Sequence, residues 1–157
     1  MTTRTLFDEI IDGNIPSWKV WEDDHYLAFL TPFANTPGLT VVIPKKNPGG
    51  YVFDMDDTAI AGLMAAAKKV AKLLEKALDV QKVGLVFEGE GVAHVHAKLY
   101  PIHGDFSEAH SARIKAATPH HQEFYPEYPG YLTTTEGPRM SDEQLNDIQQ
   151  KIQKATK

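Results

Sequence analysis

Apolar positions in the first third of the chain repeat first with a helical period and then with a strand period. Residues 4–12 carry apolar side chains at helical spacing and precede Gly13, which predicts a short N-terminal helix. Residues 18–22 and 26–30 are predicted to form the two strands of a hairpin, because the polar residues between them are typical of a turn. Residues 39–44 are rich in β-branched side chains, which predicts a third strand.

A long amphipathic helix is predicted at residues 58–78. Its apolar residues recur every three or four positions, and Asp56 or Asp57 is suited to cap its start. Such a stripe is typical of a helix that packs on a core. Residues 82–87 predict a fourth strand, and the glycine-containing residues 88–91 predict the loop that follows it.

The sequence HVHAKLYP at residues 94–101 predicts a fifth strand, whose side chains point alternately to its two faces. One face is expected to carry His94, His96, Lys98 and Tyr100. The opposite face is expected to be apolar and to carry Val95, Ala97 and Leu99. The order helix, three strands, helix, two strands predicts an α+β domain with an antiparallel sheet of about five strands.

After Asp105 the chain becomes irregular and rich in proline and aromatic residues. The aromatic residues of this segment are Phe124, Tyr125, Tyr128 and Tyr131. They are too many for a free linker, so we expect the segment to lie against another surface. A capping-box pattern at residues 141–144 predicts a C-terminal helix. We therefore predict one domain at residues 1–105 and a C-terminal extension at residues 106–157, packed on that domain or on a dimer partner.

The composition narrows the class of protein. The chain has 157 residues, of which 42% are hydrophobic and 24% charged, and this is enough for one domain with a core. Its net charge of −5 argues against binding to a nucleic-acid backbone. Cysteine is absent, which excludes disulfides and thiolate metal sites. The chain shows neither an apolar run of membrane-helix length nor a signal-peptide pattern, so we expect a cytoplasmic protein that does not bind membranes.

The row of histidine and lysine side chains points to chemistry on phosphorus. A neutral imidazole is able to attack a phosphorus atom and form a covalent intermediate that water later resolves. A second imidazole beside it is able to fix the tautomer, and the ammonium of Lys98 would meet the negative charge of a phosphate. The pattern therefore suits a phosphate ester, an anhydride or a phosphoramidate.

Two alternatives remain open from the residues alone. A bare His-x-His pattern also fits a partly exposed sheet face without any chemistry. It also fits a pair of metal ligands, but Lys98 disfavours a second cation, and the sequence fixes no third ligand, although His103 is able to approach. We expect neither a metal nor a redox cofactor.

Three longer stretches resemble the histidine-triad (HIT) family, whose motif is His-φ-His-φ-His-φ-φ with φ apolar. They are FDEIIDGNIPSWKVWEDDHYLAFL, TPGLTVVIPKKN and VGLVFEGEG followed by HVH, and the similarity covers roughly residues 5–103. The resemblance implies a HIT-like fold and a homodimer that binds nucleotides. In many members it also implies hydrolysis or transfer of a nucleoside monophosphate from a phosphoramidate, a dinucleoside polyphosphate or a nucleotidyl adduct.

The resemblance also implies a role for individual residues. His96 corresponds to the nucleophile, His94 to the first histidine that supports the site, and Lys98 stands in place of the third histidine. The expected nucleotide-binding residues are Leu6, Phe7, Ile10, Ile15, Phe29, Thr31 and Gly91. For the apolar members of this set, ordinary core packing is the alternative.

Several positions depart from the family pattern. Thr31 replaces an aspartate that grips the ribose, and Gly91 replaces a serine that contacts the phosphate. Leu39, Asn47 and Phe87 also replace polar residues of the family. Two functions therefore remain open: a hydrolase or transferase that acts through a nucleotidyl-histidine, and a non-catalytic nucleotide-binding or adaptor protein on the same scaffold. The extension is expected to cover the site or to enlarge the dimer contact.

Overall fold

The computed structural model describes residues 4–104, 124, 126–127 and 134–156. The elements in chain order are α1 (Leu6–Ile11), β1 (Trp18–Glu22), β2 (Tyr26–Leu30), β3 (Thr40–Pro44), a 3-10 turn (Val52–Asp54), α2 (Asp57–Leu78), β4 (Val83–Glu88), β5 (His96–Pro101) and α3 (Asp142–Ala155). The strands form one antiparallel sheet in the order β1-β2-β3-β5-β4. The predicted α+β fold with five strands, a long helix and a C-terminal helix is confirmed.

Local capping explains where the helices begin. The Thr5 side chain accepts a hydrogen bond from the Asp8 amide, and the Asp8 carboxylate accepts one from the Thr5 amide. Of the two predicted caps for α2, Asp56 is the one used, since its carboxylate accepts from the Ala59 amide. The predicted capping box at residues 141–144 is present at the start of α3. Each cap satisfies amide groups that the first helical turn leaves unpaired.

The sheet has a core on each face. The larger core lies between the sheet and α2, and it includes the three apolar residues that were predicted to share one face: Val95, Ala97 and Leu99. The smaller core lies under α1 on the opposite face and is built from Phe7, Ile10, Leu27, Phe29, Val41 and Ile43. The strand predicted over residues 94–101 begins only at His96, because His94 and Val95 still hydrogen-bond to loop carbonyls of Val92 and Gly49.

The described part of the C-terminal extension packs on this domain. In α3, Leu145 and Ile152 enter the larger core. Trp18 Nε1–H of β1 donates to Asn146 Oδ1 at 3.0 Å. Of the aromatic residues predicted to lie against another surface, only Phe124 falls within the described residues, where it is 37% exposed. The division into a domain and an extension, and the homodimer, stay predictions.

No helix among the described residues combines the length and the apolar character that crossing a membrane requires.

Candidate active site

A cavity of about 470 Å³ opens on the α1 face of the sheet. It is lined by all but one of the residues that the sequence proposed for the site: Leu6, Phe7, Ile10, Ile15, Phe29, Thr31, Gly91, His96 and Lys98. The exception is His94, which lies behind the cavity wall. The cavity therefore brings together residues from α1, β2, β5 and three loops that are far apart in sequence.

One end of this cavity, the apolar end, is formed by Leu6, Phe7, Ile10, Ile15 and Phe29. Three of these side chains are at most 6% exposed and belong to the smaller core: Phe7, Ile10 and Phe29. The Phe7 and Phe29 rings meet edge to face with centroids 5.6 Å apart. These three side chains therefore pack in the smaller core and also line the cavity, because this core ends at the cavity wall.

His96 presents one defined ring nitrogen to the cavity. Its Nδ1 lies 2.9 Å from the main-chain oxygen of His94. A carbonyl oxygen only accepts, so Nδ1 carries the proton, and Nε2 of the neutral ring keeps its lone pair. Burial lowers the pKa of His96, and the nearby Lys98 ammonium acts in the same direction. The ring is therefore neutral near pH 7 and has a bare Nε2.

His94 acts on the site from behind. Its ring is fully buried, and Nε2–H donates to the Pro44 carbonyl at 2.7 Å, which fixes the start of β5 to the end of β3. Burial lowers the pKa of His94. Its Nδ1, 3.9 Å from Asp8 Oδ1, has no hydrogen-bond partner among the described residues. The contact of His94 with His96 is made by the main-chain oxygen, which holds the tautomer of the His96 ring.

A second part of the cavity lining, the charged end, is formed by His96, Lys98 and Glu88, and the Phe7 ring of the apolar end lies edge to face with His96 at a centroid distance of 5.1 Å. Lys98 Nζ lies 2.8 Å from Glu88 Oε2, and the same oxygen lies 3.8 Å from His96 Nε2. Glu88 ends β4 and pairs with His96 across the two strands. Glu88 was not among the site residues predicted from the sequence, because it reaches this face only through the register of β4 against β5.

The neighbouring residue of β4, Phe87, lies on the other face of the sheet. Its side chain packs against the larger core, away from the cavity. Alternation along β4 puts Glu88 on the cavity side instead.

Residues outside the cavity have structural contacts. His103, which the sequence offered as a further candidate ligand, donates from Nε2 to the Pro37 carbonyl at 2.8 Å. Asn47 donates to the Ala93 carbonyl at 3.2 Å and so holds the loop before β5. Within the described part of the chain, no three His, Asp or Glu side chains come together as a metal site.

The extension contributes to the cavity wall. Thr134, Thr135 and Glu136 line it. The amide of Gly137 donates to the Phe33 carbonyl at 3.1 Å, which ties this segment to the loop between β2 and β3. A Cβ added at Gly137 would lie 2.2 Å from the Ala34 carbonyl oxygen, so only glycine allows this approach.

Known proteins resemble this chain in sequence. A family profile described as HIT domain matches residues 12–103. The chain is 36% identical over 101 residues to an uncharacterised HIT-like protein of Methanocaldococcus jannaschii, covering 61% of this chain and 77% of that protein. It is 34% identical over 100 residues to the adenosine 5′-monophosphoramidase of Saccharomyces cerevisiae, covering 61% of each.

The fold of the full chain also has a solved counterpart. A Hit-like protein from Bartonella henselae superposes with a TM-score of 0.69 at 23% identity, covering 99% of this chain and 98% of that one. At this identity the likeness concerns the fold alone. The profile match spans more than half of the sequence, and the chain therefore belongs to the HIT family.

Proposed function

We propose that this protein hydrolyses or transfers a nucleotide derivative at its α-phosphate, through a covalent nucleotidyl intermediate on His96. The observation that carries the proposal is the hydrogen bond from His96 Nδ1–H to the His94 carbonyl, which leaves Nε2 bare beside the cavity. The activity for which the yeast relative is named, that of a monophosphoramidase, supports the choice of a phosphoramidate as the first substrate.

The proposed reaction has two displacement steps at phosphorus. In the first, the Nε2 lone pair forms a bond to phosphorus, and the bond from phosphorus to the leaving group breaks with its electron pair. The leaving group takes a proton from solvent, while Nδ1 keeps its own proton. In the second, water attacks phosphorus, the phosphorus–nitrogen bond returns its electrons to Nε2, and a proton is released. No oxidation state changes, so the chemistry needs no redox cofactor.

The two ends of the cavity suit the two parts of such a substrate. The apolar end offers aromatic and aliphatic side chains to a nucleobase. The charged end offers the Lys98 ammonium to the phosphate oxygens, where negative charge increases in the transition state. A substrate that joins a flat ring to a phosphate fits this division.

The test is turnover of adenosine 5′-phosphoramidate by the wild type and by His96→Ala. We expect the substitution to lower kcat by at least about a thousandfold, because the attacking atom is lost. His25→Ala is the matched control, since His25 is exposed on the hairpin turn outside this cavity. It should retain wild-type kcat.

Mass spectrometry of acid-stable and acid-labile adducts should detect an added nucleotidyl group on the wild type during turnover. Turnover that survives His96→Ala would end the proposal. Binding of AMP by the wild type without turnover of any phosphoramidate or dinucleoside polyphosphate would favour the non-catalytic nucleotide-binding protein instead.

A further inference from the structure

The charged end of the cavity contains a carboxylate that the proposed reaction does not use. Glu88 Oε2 lies 2.8 Å from Lys98 Nζ and 3.8 Å from His96 Nε2. Both side chains of the ion pair are largely covered, with 17% of Lys98 and 27% of Glu88 exposed. Solvent therefore screens this ion pair less than it screens a pair on the open surface.

The position of this carboxylate conflicts with a bound phosphate. A phosphorus atom ready for attack lies about 3–3.5 Å from the nucleophilic nitrogen. The oxygens of that phosphate would then lie in the region between Nε2 and the Lys98 ammonium, where Glu88 Oε2 is found. Two anions at this distance repel each other, and the ammonium cannot satisfy both fully.

We infer that Glu88 is a positioning residue that holds Lys98 in the empty site and competes with the phosphate of a ligand for it. The inference takes the identity of the ligand from the proposed function, but the competition itself is a property of the three side chains. The carboxylate occupies the anion site until a phosphate displaces it. It returns when the phosphate leaves, so it favours release of a phosphorylated product.

The surroundings leave room for this displacement. Glu88 is the last residue of β4, and the loop after it reaches Gly91 at the cavity edge. A Cβ built at Gly91 meets no atom within 4 Å, so the space beside the loop is open. We expect the Glu88 side chain to rotate toward that space when a phosphate takes its place at Lys98.

The test compares inorganic phosphate, AMP and adenosine binding to the wild type, Glu88→Gln and Glu90→Gln. Phosphate binding is followed by NMR through the ring signals of His96, and the other ligands are measured by calorimetry. Glu90→Gln is the matched control, because it removes one negative charge from the same loop, and the Glu90 carboxylate accepts from the Gly89 amide rather than from Lys98.

We expect Glu88→Gln to bind phosphate and AMP about five- to tenfold more tightly than the wild type, since the internal competitor is neutralised. Adenosine has no phosphate, so its Kd should stay within about twofold. Glu90→Gln should increase the affinity for inorganic phosphate and for AMP clearly less than Glu88→Gln does. Matching NMR spectra of the three proteins verify that the fold is retained.

The inference is overturned if Glu88→Gln binds inorganic phosphate no more tightly than the wild type. It is also overturned if Glu90→Gln increases the affinity for inorganic phosphate as much as Glu88→Gln does. The increase would then come from the lower negative charge of the protein and not from the position of Glu88. Weaker phosphate binding by Glu88→Gln would mean that Glu88 only orients Lys98 for the ligand. If Glu88→Gln binds inorganic phosphate more tightly while AMP and adenosine bind neither the wild type nor the variants, the proposed function is wrong and the competition between Glu88 and phosphate stands.

Discussion

The apolar and charged ends of the cavity are held in place by different forces. At the apolar end, Phe7 and Phe29 are fixed by the packing of a core that also stabilises the fold. At the charged end, His96 is fixed by one hydrogen bond and by its contact with the Phe7 ring, and Lys98 is fixed by one ion pair with Glu88. A change at the apolar end should therefore cost both stability and binding, whereas a change at the charged end should alter the chemistry and leave the fold almost untouched.

The largest expected effect on stability is that of Phe7→Ala. Phe7 is 6% exposed and contacts Phe29, His94 and His96 through its ring. Its truncation should lower the free energy of unfolding by about 3–5 kcal/mol, from lost burial and the cavity left behind. Urea denaturation measures this loss, and adenosine binding should weaken in the same variant.

Leu6→Ala is the control for that variant, because Leu6 lines the same cavity but is 51% exposed. It should cost less than about 1 kcal/mol of stability and still weaken adenosine binding. Equal stability losses in the two variants would contradict the view that the smaller core ends at the cavity wall.

A second prediction concerns Lys98→Met, which should change function far more than stability. AMP binding should weaken by about tenfold, while adenosine binding stays the same, because only the phosphate meets the ammonium. The free energy of unfolding should change by no more than about 1 kcal/mol, as is usual for a partly exposed ion pair. A parallel loss of adenosine binding would show that Lys98 shapes the whole cavity.

Lys98→Met should also shift the pH dependence of kcat/KM. Burial is the main cause of the lowered pKa of His96, and the Lys98 ammonium lowers it further. Without the ammonium the pKa of His96 should rise, so the acid limb of kcat/KM should move to higher pH. NMR titration of the His96 ring checks the direction, and a fall in this pKa would contradict the electrostatic argument.

The smallest effect is expected for Gly91→Ser. The added Cβ meets no atom within 4 Å, so the free energy of unfolding should stay within about 0.5 kcal/mol of the wild type. The hydroxyl would face the cavity and is able to donate to a phosphate oxygen, which should tighten AMP binding about threefold. A similar gain for adenosine would show that the hydroxyl does not reach the charged end.

The elements around the site were predictable because each depends on local periodicity. Alternation along residues 94–101 assigned Ala97 and Leu99 to one face and His96 and Lys98 to the other, as the structure has them. The prediction for β4 differs from the structure by one position, because the strand was predicted at residues 82–87 and lies at Val83–Glu88, so that Glu88 belongs to the strand and not to the loop after it. A shift of one residue along a strand exchanges its two faces, and nothing in an isolated strand sequence says which strand lies beside it.

The sequence by itself determined the α+β fold, the cap of α3 and the family, because these depend on spacing and residue type over short stretches of chain. Only the tertiary structure decided that Glu88 faces His96 and Lys98, that the His94 carbonyl oxygen accepts from His96 Nδ1–H, and that residues 134–136 line the cavity. Those contacts join strands and segments that are distant in sequence. Their geometry follows from sheet register and packing, which are properties of the whole fold.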